Sequence, residues 1–452
     1  MMRPLLALLA FASVLTAQTL VGDGQTDDSA ALQKLVDTQG SVRLPKGRYR
    51  LTKTITVDLA KTGYAAISSD GTAQVIMAGP GPAFHFVGTH DKSADPWNFK
   101  PQVWDRQRAP AVTGLEIVGA HAEADGIEAT GTMQLTVEHT LIRECRHAIH
   151  LTKLNRNIII SACNLYHNSG IGVFYDDVNL HQSNIVGCHI SYNGGGGVVS
   201  RGGNVRNLQI GTCDIEANQD AKGKPAANVE LDSTGGSIGE VTITGCTVQH
   251  SHKAPGSANI RILGAGTDES LVRRGGRPTT REGNVTITGN VFSDVETNVE
   301  IRHARGVTLT ANTFWEGFAH DLVVEDSANI VISGNNFDRN PRYLVNGNGL
   351  AEKNGIRLRH VDDSGFSDNL VVGVHGQPAA VDVIDCARLR ITHNSILDCD
   401  GAALRLTRLS RSLVTGNLLR DDRPEAERSK APFLVVEEGT YNQIDGNAPG
   451  AR

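Results

Sequence analysis

At 452 residues the chain can bury a large core, and its formal net charge of −6 gives no reason to expect nucleic acid or an anionic membrane surface as a partner. Glycine is abundant at 49 and aromatics are sparse at 5%, which suits many tight turns between short strands. The seven cysteines are an odd number and match no small disulfide framework.

The first 17 residues, MMRPLLALLAFASVLTA, place Arg3 before an apolar run from Leu5 to Leu15 and end on small residues. That is the pattern of a signal peptide, with cleavage expected after Ala17. The run is too short for an ordinary transmembrane helix, and no later segment is apolar enough to be one. The mature chain, 18–452, is therefore expected to be secreted or periplasmic and to form a single domain.

The stretch VGDGQTDDSAALQKLVDTQGSVRLPKGRYRLTKTITV comes next. Asp27 or Asp28 is placed to N-cap a short amphipathic helix carrying Ala31, Leu32, Leu35 and Val36. Val42 to Leu44 and Tyr49 to Val57 read as strands on either side of a Pro-Lys-Gly turn. Residues 18–60 thus predict a cap for the open end of a β-solenoid, which otherwise exposes core and unpaired backbone. The pattern GDG-TDD-AALQ followed by V-LPKG-Y-L resembles the opening of pectate-lyase-superfamily proteins of the rhamnogalacturonase/epimerase-like type. The resemblance implies an all-β fold, a single-stranded right-handed parallel β-helix, and an extracellular protein that binds or cleaves polysaccharide. From His85 to Pro110 the strand pattern is interrupted by a loop that carries Trp97 and Trp104. Both are candidates to stack on sugar rings, or to pin the loop to the first coils.

From Ala111 onward the strands repeat. Gly283 to Arg305, Gly306 to Ala328 and the stretch from Asn329 say the same thing in units of about 22–25 residues, within the range of a solenoid repeat. Each unit has a β-branched strand, an Asn turn, an aromatic two residues on, and a strand alternating apolar with polar. The turn residue recurs at Asn290, Asn312, Asn335, Asn369, Asn394, Asn417 and Asn447. Upstream the same place is Thr140, Cys163, Cys188, Cys213 and Cys246. Coils stack about 4.8 Å apart, so one residue type per coil predicts a ladder. Asn tolerates a left-handed turn and its amide bonds the neighbours above and below. Cys packs there as a small buried hydrophobe, and no CxxC spacing points to zinc. Insertions at 219–227, 251–282 and 341–354 all follow one turn position, so they are expected to wall one edge of the strand that comes next.

That strand carries the charge. Aligned by its inward residues (Val229/Leu231, Ile260/Ile262, Val299/Ile301, Leu322/Val324, Ile356/Leu358), it turns His150, Glu230, Asp232, Arg261, Glu300, Arg302, Glu325, Arg357, Arg359 and Asp382 outward. Asp176, Asp177 and Arg201 fall on neighbouring coils. Cross-strand ion pairs alone would account for such a face at about 0.2–1 kcal/mol each. The flanking insertions and the carboxylate spacing point instead to cleavage of glycosidic bonds in a polysaccharide. Glu230 and Asp232 lie roughly 7 Å apart along one strand, and Glu230 and Glu300 roughly 10 Å apart across two coils. Inverting glycosidases use about 6.5–9.5 Å.

The expected catalytic set is Glu230 as acid, Asp232 or Glu300 as base or nucleophile, and Asp176 and Asp177 beside them. Arg201, Arg261, Arg302 and Glu325 would bind substrate. Polygalacturonases of this scaffold carry Asn-Thr-Asp, Asp-Asp, Gly-His-Gly and Arg-Ile-Lys sets, of which only FYDD (Asp176, Asp177) and NIRI (Arg261) find an echo. Two alternatives stand beside hydrolysis or transglycosylation. One is a lyase acting by β-elimination on a uronate polymer, with an arginine as base and Ca2+ on Asp176, Asp177 and Glu230. The other is a non-catalytic glycan-binding or adhesion β-helix. The hydrolase reading needs no metal or cofactor. His181, His303 and His320 read as structural, and no surface patch predicts an oligomer.

Overall fold

The computed structural model describes residues 19–449 except 93–98, 252–253, 265–267, 274–276, 280–282 and 341–350. The proposed leader and Trp97 therefore lie outside the described residues. The chain winds into parallel coils of three short strands. Val295–Arg302, Arg305–Thr310 and Thr313–Phe314 make one coil, and they contribute to what are here termed the first, second and third faces. The third face is a sheet of 16 strands, and the first two faces merge in a sheet of 26. Every coil-to-coil pairing is parallel, as in Arg261↔Glu300 on the first face and Phe292↔Phe314 on the third.

Alternation sets the interior. Val229, Ile260, Val299, Leu322, Ile356 and Val381 stand in one inward column, each paired with the next and each at most 1% exposed. On the third face the aromatics Phe292, Phe314 and Phe337 stack with ring centroids 5.0 and 4.5 Å apart. The helix Ser29–Gln39 buries Ala31, Leu32 and Val36 over the first coil, and Gly40 ends it at φ 71°. Of the two expected capping residues, Asp28 stands at the N-cap position but Asp27 supplies the side-chain bond. Asp27 accepts from the Ser29 N–H at 3.0 Å, whereas the Asp28 carboxylate turns back to the N–H groups of Val21 and Gly22.

The ladder between the second and third faces is continuous. Asn290 donates its side-chain amide to Asn312, Asn312 to Asn335, Asn335 to Asn369, Asn369 to Asn394, Asn394 to Asn417 and Asn417 to Asn447, at 2.8–3.0 Å. Cys246 joins it through its backbone N–H to Asn290 Oδ1 at 2.9 Å. The left-handed residue is not the Asn but the one before it: Gly289, Ala311, Gly334, Asp368, His393 and Gly416 all have φ between 54° and 68°. That leaves the Asn side chain pointing inward, where its neighbours saturate it.

A second ladder runs along the edge between the third and first faces. Asn168 donates to Asn193, Asn193 to Asn218, Asn218 to Asn228, Asn228 to Asn259, Asn259 to Asn298, and Asn298 to Asp321, at 2.7–2.8 Å. All seven are fully or almost fully buried. The sequence reading misses this ladder. Its spacing is irregular because Asn218 and Asn228 stand at the two ends of one insertion and both belong to it.

Candidate functional site

Two outward rows occupy the first face. One contains His150, Phe174, Val199, Glu230, Arg261, Glu300, Val323, Arg357, Asp382 and Arg405 in register. The other contains Thr152, Asp176, Arg201, Asp232, Leu263, Arg302, Glu325 and Arg359. The predicted alignment of Glu230, Arg261, Glu300 and Arg302 is the observed one, and Asp176 and Arg201 now join it.

The charges form a zipper. Arg201 Nε donates to Glu230 Oε1 at 2.7 Å, and Arg261 Nη1 lies 3.8 Å from Glu230 Oε2. Arg261 Nε reaches Glu300 Oε2 at 2.8 Å, and Arg302 Nε reaches Glu300 Oε1 at 2.6 Å. Arg302 continues to Glu325, and Arg357 Nη2 meets Glu325 Oε1 at 3.1 Å. The three glutamates are thus held on both oxygens by guanidinium groups, and Glu230 is only 5% exposed although it points away from the core. Burial alone would push the Glu300 carboxyl up. The hydrogen bonds and charges of Arg261 and Arg302 outweigh it and hold the group below its ordinary range. Glu300, held by a close guanidinium on each oxygen, is a rigid anionic post.

The aspartates of the neighbouring row are placed differently. Asp176 is 44% exposed at its side chain and accepts from His150 Nε2 at 3.0 Å. Asp232 is partly exposed and accepts the Thr234 N–H at 2.8 Å. Asp176 and Asp232 flank Arg201 in one row, two coils apart. His150 stacks on Phe174 with centroids 5.2 Å apart and rings at 6°. The structure does not bring Asp177 to this group. It sits in the bend at φ 43°, and its carboxylate accepts the Gly203 N–H at 3.0 Å. Trp104 is also elsewhere, on the helix Pro101–Arg106 in the loop that leaves the opposite edge of the first face, 43% exposed and with the Arg108 guanidinium 5.6 Å from its ring.

Where the second ladder ends, carboxyls accumulate beside Glu352 and Asn354. Burial, then a hydrogen bond and repulsion from Asp294 and repulsion from Glu352, push Glu316 up to about 8. Burial pushes Asp321 up to about 6 against the hydrogen bonds from Asn298 and Asn354. A carboxyl that keeps its proton at neutral pH, Glu316, thus sits at this turn edge, which strand alternation alone does not reveal. Of the histidines read as structural, burial holds His320 down at about 4 and lowers His181 as well. His303 lies in the bend at φ 53°. The seven cysteines are free thiols in the core. Cys163, Cys188, Cys213 and Cys246 each donate to a carbonyl two residues back at 3.2–3.5 Å.

Comparison with known proteins gives the context. The family profile described as periplasmic copper-binding protein (NosD) matches residues 214–448, just over half of the chain. That of the right-handed β-helix region matches residues 111–248. No curated protein matches the sequence. Among solved structures, tailspike protein 3 of bacteriophage CBA120 is 14% identical with a TM-score of 0.52, covering 96% of this chain and 61% of its own. A tailspike variant of E. coli bacteriophage HK620 in complex with a pentasaccharide is 14% identical with a TM-score of 0.51, covering 94% of this chain and 78% of its own. The A-module of a mannuronan C-5 epimerase from Azotobacter vinelandii is 12% identical with a TM-score of 0.42, covering 96% and 98%. Among the described residues no helix is long and apolar enough to cross a membrane. The chain belongs to the family described as periplasmic copper-binding protein NosD, and its fold is a right-handed parallel β-helix.

Proposed function

We propose that this protein acts on a polysaccharide laid across the first face, cleaving a glycosidic bond between Asp176 and Asp232. The observation that carries the reading is their placement. They are outward carboxyls two coils apart, free of guanidinium partners among the described residues, with Arg201 between them. Two coils are roughly 9–10 Å at the backbone. Side-chain reach brings that into the range of about 6.5–9.5 Å in which one carboxyl and one water fit on opposite sides of a sugar.

The chemistry needs no further reactant. One aspartic acid gives its proton to the bridging oxygen as the bond from the anomeric carbon breaks. The other, ionised, takes a proton from the water whose oxygen forms the new bond. Arg201 is oriented by Glu230, and its remaining donors would bind hydroxyl or carboxylate oxygens of the substrate. Glu230, Glu300 and Glu325 act as posts that hold the arginines, a positioning role in place of the expected acid (Glu230), base or nucleophile (Glu300) and substrate-binding (Glu325) roles.

The family description names copper, and the residues present do not fit it. Among the described residues no three His, Cys, Asp or Glu side chains come together as metal ligands, and the thiols are committed to the core. The proposed reaction is independent of that metal. Export is inferred from the pattern of the first 17 residues together with the periplasmic family description.

The test is to incubate residues 18–452 with a panel of neutral and uronic polysaccharides while following reducing ends and the ultraviolet absorbance of unsaturated uronates. Reducing ends without absorbance are expected, with Asp176→Asn and Asp232→Asn each lowering the rate by about 10²–10⁴-fold. Full activity in either variant sinks the assignment. Absorbance appearing with the reducing ends replaces hydrolysis by β-elimination. Binding without turnover on any member of the panel leaves the non-catalytic reading.

A further inference from the structure

A second feature lies on the edge between the third and first faces, away from the aspartate pair. The left-handed turn residues of successive coils stack there: His167, Tyr192, Ala217 and His250, at φ 53–61°. Their backbones are tied coil to coil, with the His167 N–H donated to Ser191, that of Tyr192 to Glu216 and that of Ala217 to Gln249, at 2.9–3.2 Å. His167 and Tyr192 stack with centroids 5.0 Å apart and rings at 11°. The Tyr192 hydroxyl donates to Glu216 Oε1 at 3.2 Å, yet half of the residue remains exposed. At the next position the column holds only Ala217, so among the described residues of this column the next ring beyond Tyr192 is His250.

This gap is a built slot. Tyr192 and His250 are two coils apart, roughly 9–10 Å. Two van der Waals contacts of about 3.5–4 Å on either side of an inserted ring need about 7–8 Å. The first insertion closes one side. Gln219 fixes it by accepting the Ala226 N–H at 3.1 Å and donating to the Pro255 carbonyl at 2.9 Å. The opening belongs to a cavity of about 710 Å³ lined also by Asp220 and Ser251. His250 stands between two carboxylates, its Nε2 3.9 Å from Glu216 and its Nδ1 3.4 Å from Asp294.

We propose that the slot between Tyr192 and His250 is a saccharide-binding site that takes one pyranose ring of a chain. The ring's C–H face lies on Tyr192, and its hydroxyls are met by Glu216, Asp220 and Ser251. An aromatic face above a small residue, with acceptors and a hydroxyl at the rim, suits a body that is apolar on its faces and polar at its edge. The inference rests on the reading that the protein handles polysaccharide, and it adds a holding site apart from the reacting one.

The experiment measures binding of cellohexaose and of hexagalacturonate to residues 18–452 by saturation-transfer NMR and calorimetry, with no turnover required. Ala217→Phe fills the slot and Tyr192→Ala removes its floor. Each is expected to weaken hexasaccharide binding by about tenfold or more. Ala217→Phe is expected to weaken binding by the same factor in an Asp176→Asn/Asp232→Asn background, which separates failure of the slot from failure of the proposed reaction. Retained far-UV circular dichroism and thermal unfolding show that each variant is folded. Unchanged affinity in Ala217→Phe, or a parent that binds neither hexasaccharide, overturns the proposal.

Discussion

Asp321 breaks the second ladder in a way that makes the protein's stability depend on a single proton. Each Asn of that ladder accepts from the previous side chain and donates to the next, but a carboxylate only accepts. Asp321 takes 2.7 Å from Asn298, and Asn354 must donate back to it at 3.2–3.3 Å, so Asn354 Oδ1 is left buried with no partner. A proton on Asp321 restores the direction of donation, because its O–H can serve Asn354 once that amide turns over. The group is fully buried, and its pKa is pushed up by that burial from 3.8 to about 6. The folded protein therefore holds the proton more tightly than the unfolded chain. Stability is undiminished below pH 4, falls as pH rises from about 4 to 6, and carries the whole penalty above that. The shift of about two units corresponds to about 3 kcal/mol. Asp321→Asn removes the penalty and keeps the donor. It should be more stable than the parent by about 3 kcal/mol at pH 8 and nearly equal at pH 4, read by guanidinium unfolding followed by circular dichroism. A variant that is no more stable at pH 8, or that differs equally at both pH values, refutes the reasoning.

The zipper and the first ladder make further predictions. Arg261→Met leaves Glu230 and Glu300 each with one guanidinium fewer in a buried setting, and a loss of about 3 kcal/mol is expected in denaturant unfolding; a change below about 0.5 kcal/mol would mean that the pairs are merely solvated. Asn335→Ala strips the acceptor from both the backbone N–H and the side-chain amide of Asn312, and should cost about 2 kcal/mol by the same measurement. Glu316, pushed up to about 8 chiefly by burial, keeps its proton in the fold at neutral pH. The parent should lose melting temperature as pH rises from about 4.5 to 8, and Glu316→Gln should show no fall between about 6 and 8. A parallel fall in both would remove Glu316 as the cause.

Period-two alternation was enough to align Val229, Ile260, Val299 and Leu322 across coils, and therefore to bring Glu230, Arg261 and Glu300 into one row. What alternation does not encode is the lean of a long side chain. Arg201 is in register with Asp232, yet its Nε goes diagonally to Glu230, which pairs Glu230 with a guanidinium and leaves Asp232 without one among the described residues. The first Asn ladder was legible because its coils carry few insertions. The second was hidden because the residue it needs shifts from the turn to the start of the strand. The slot beside Tyr192 was equally invisible, since its decisive residue is an alanine, and an absent side chain acquires meaning only when its neighbours in space are known.

The two ladders also determine how this protein can change its length. Each coil carries one rung at the Asn290–Asn447 corner, and an Asn or Asp of the second ladder tags the coils near the opposite edge. Removing a whole repeat such as Gly306 to Ala328 would bring Asn290 to Asn335 and Phe292 to Phe337, like against like. Removing one residue would misalign both corners and turn the first face inside out. Growth and shrinkage of the helix are thus quantised in coils. Each such step would also add or subtract one tooth of the zipper, so the reach of the charged face is tied to the number of repeats.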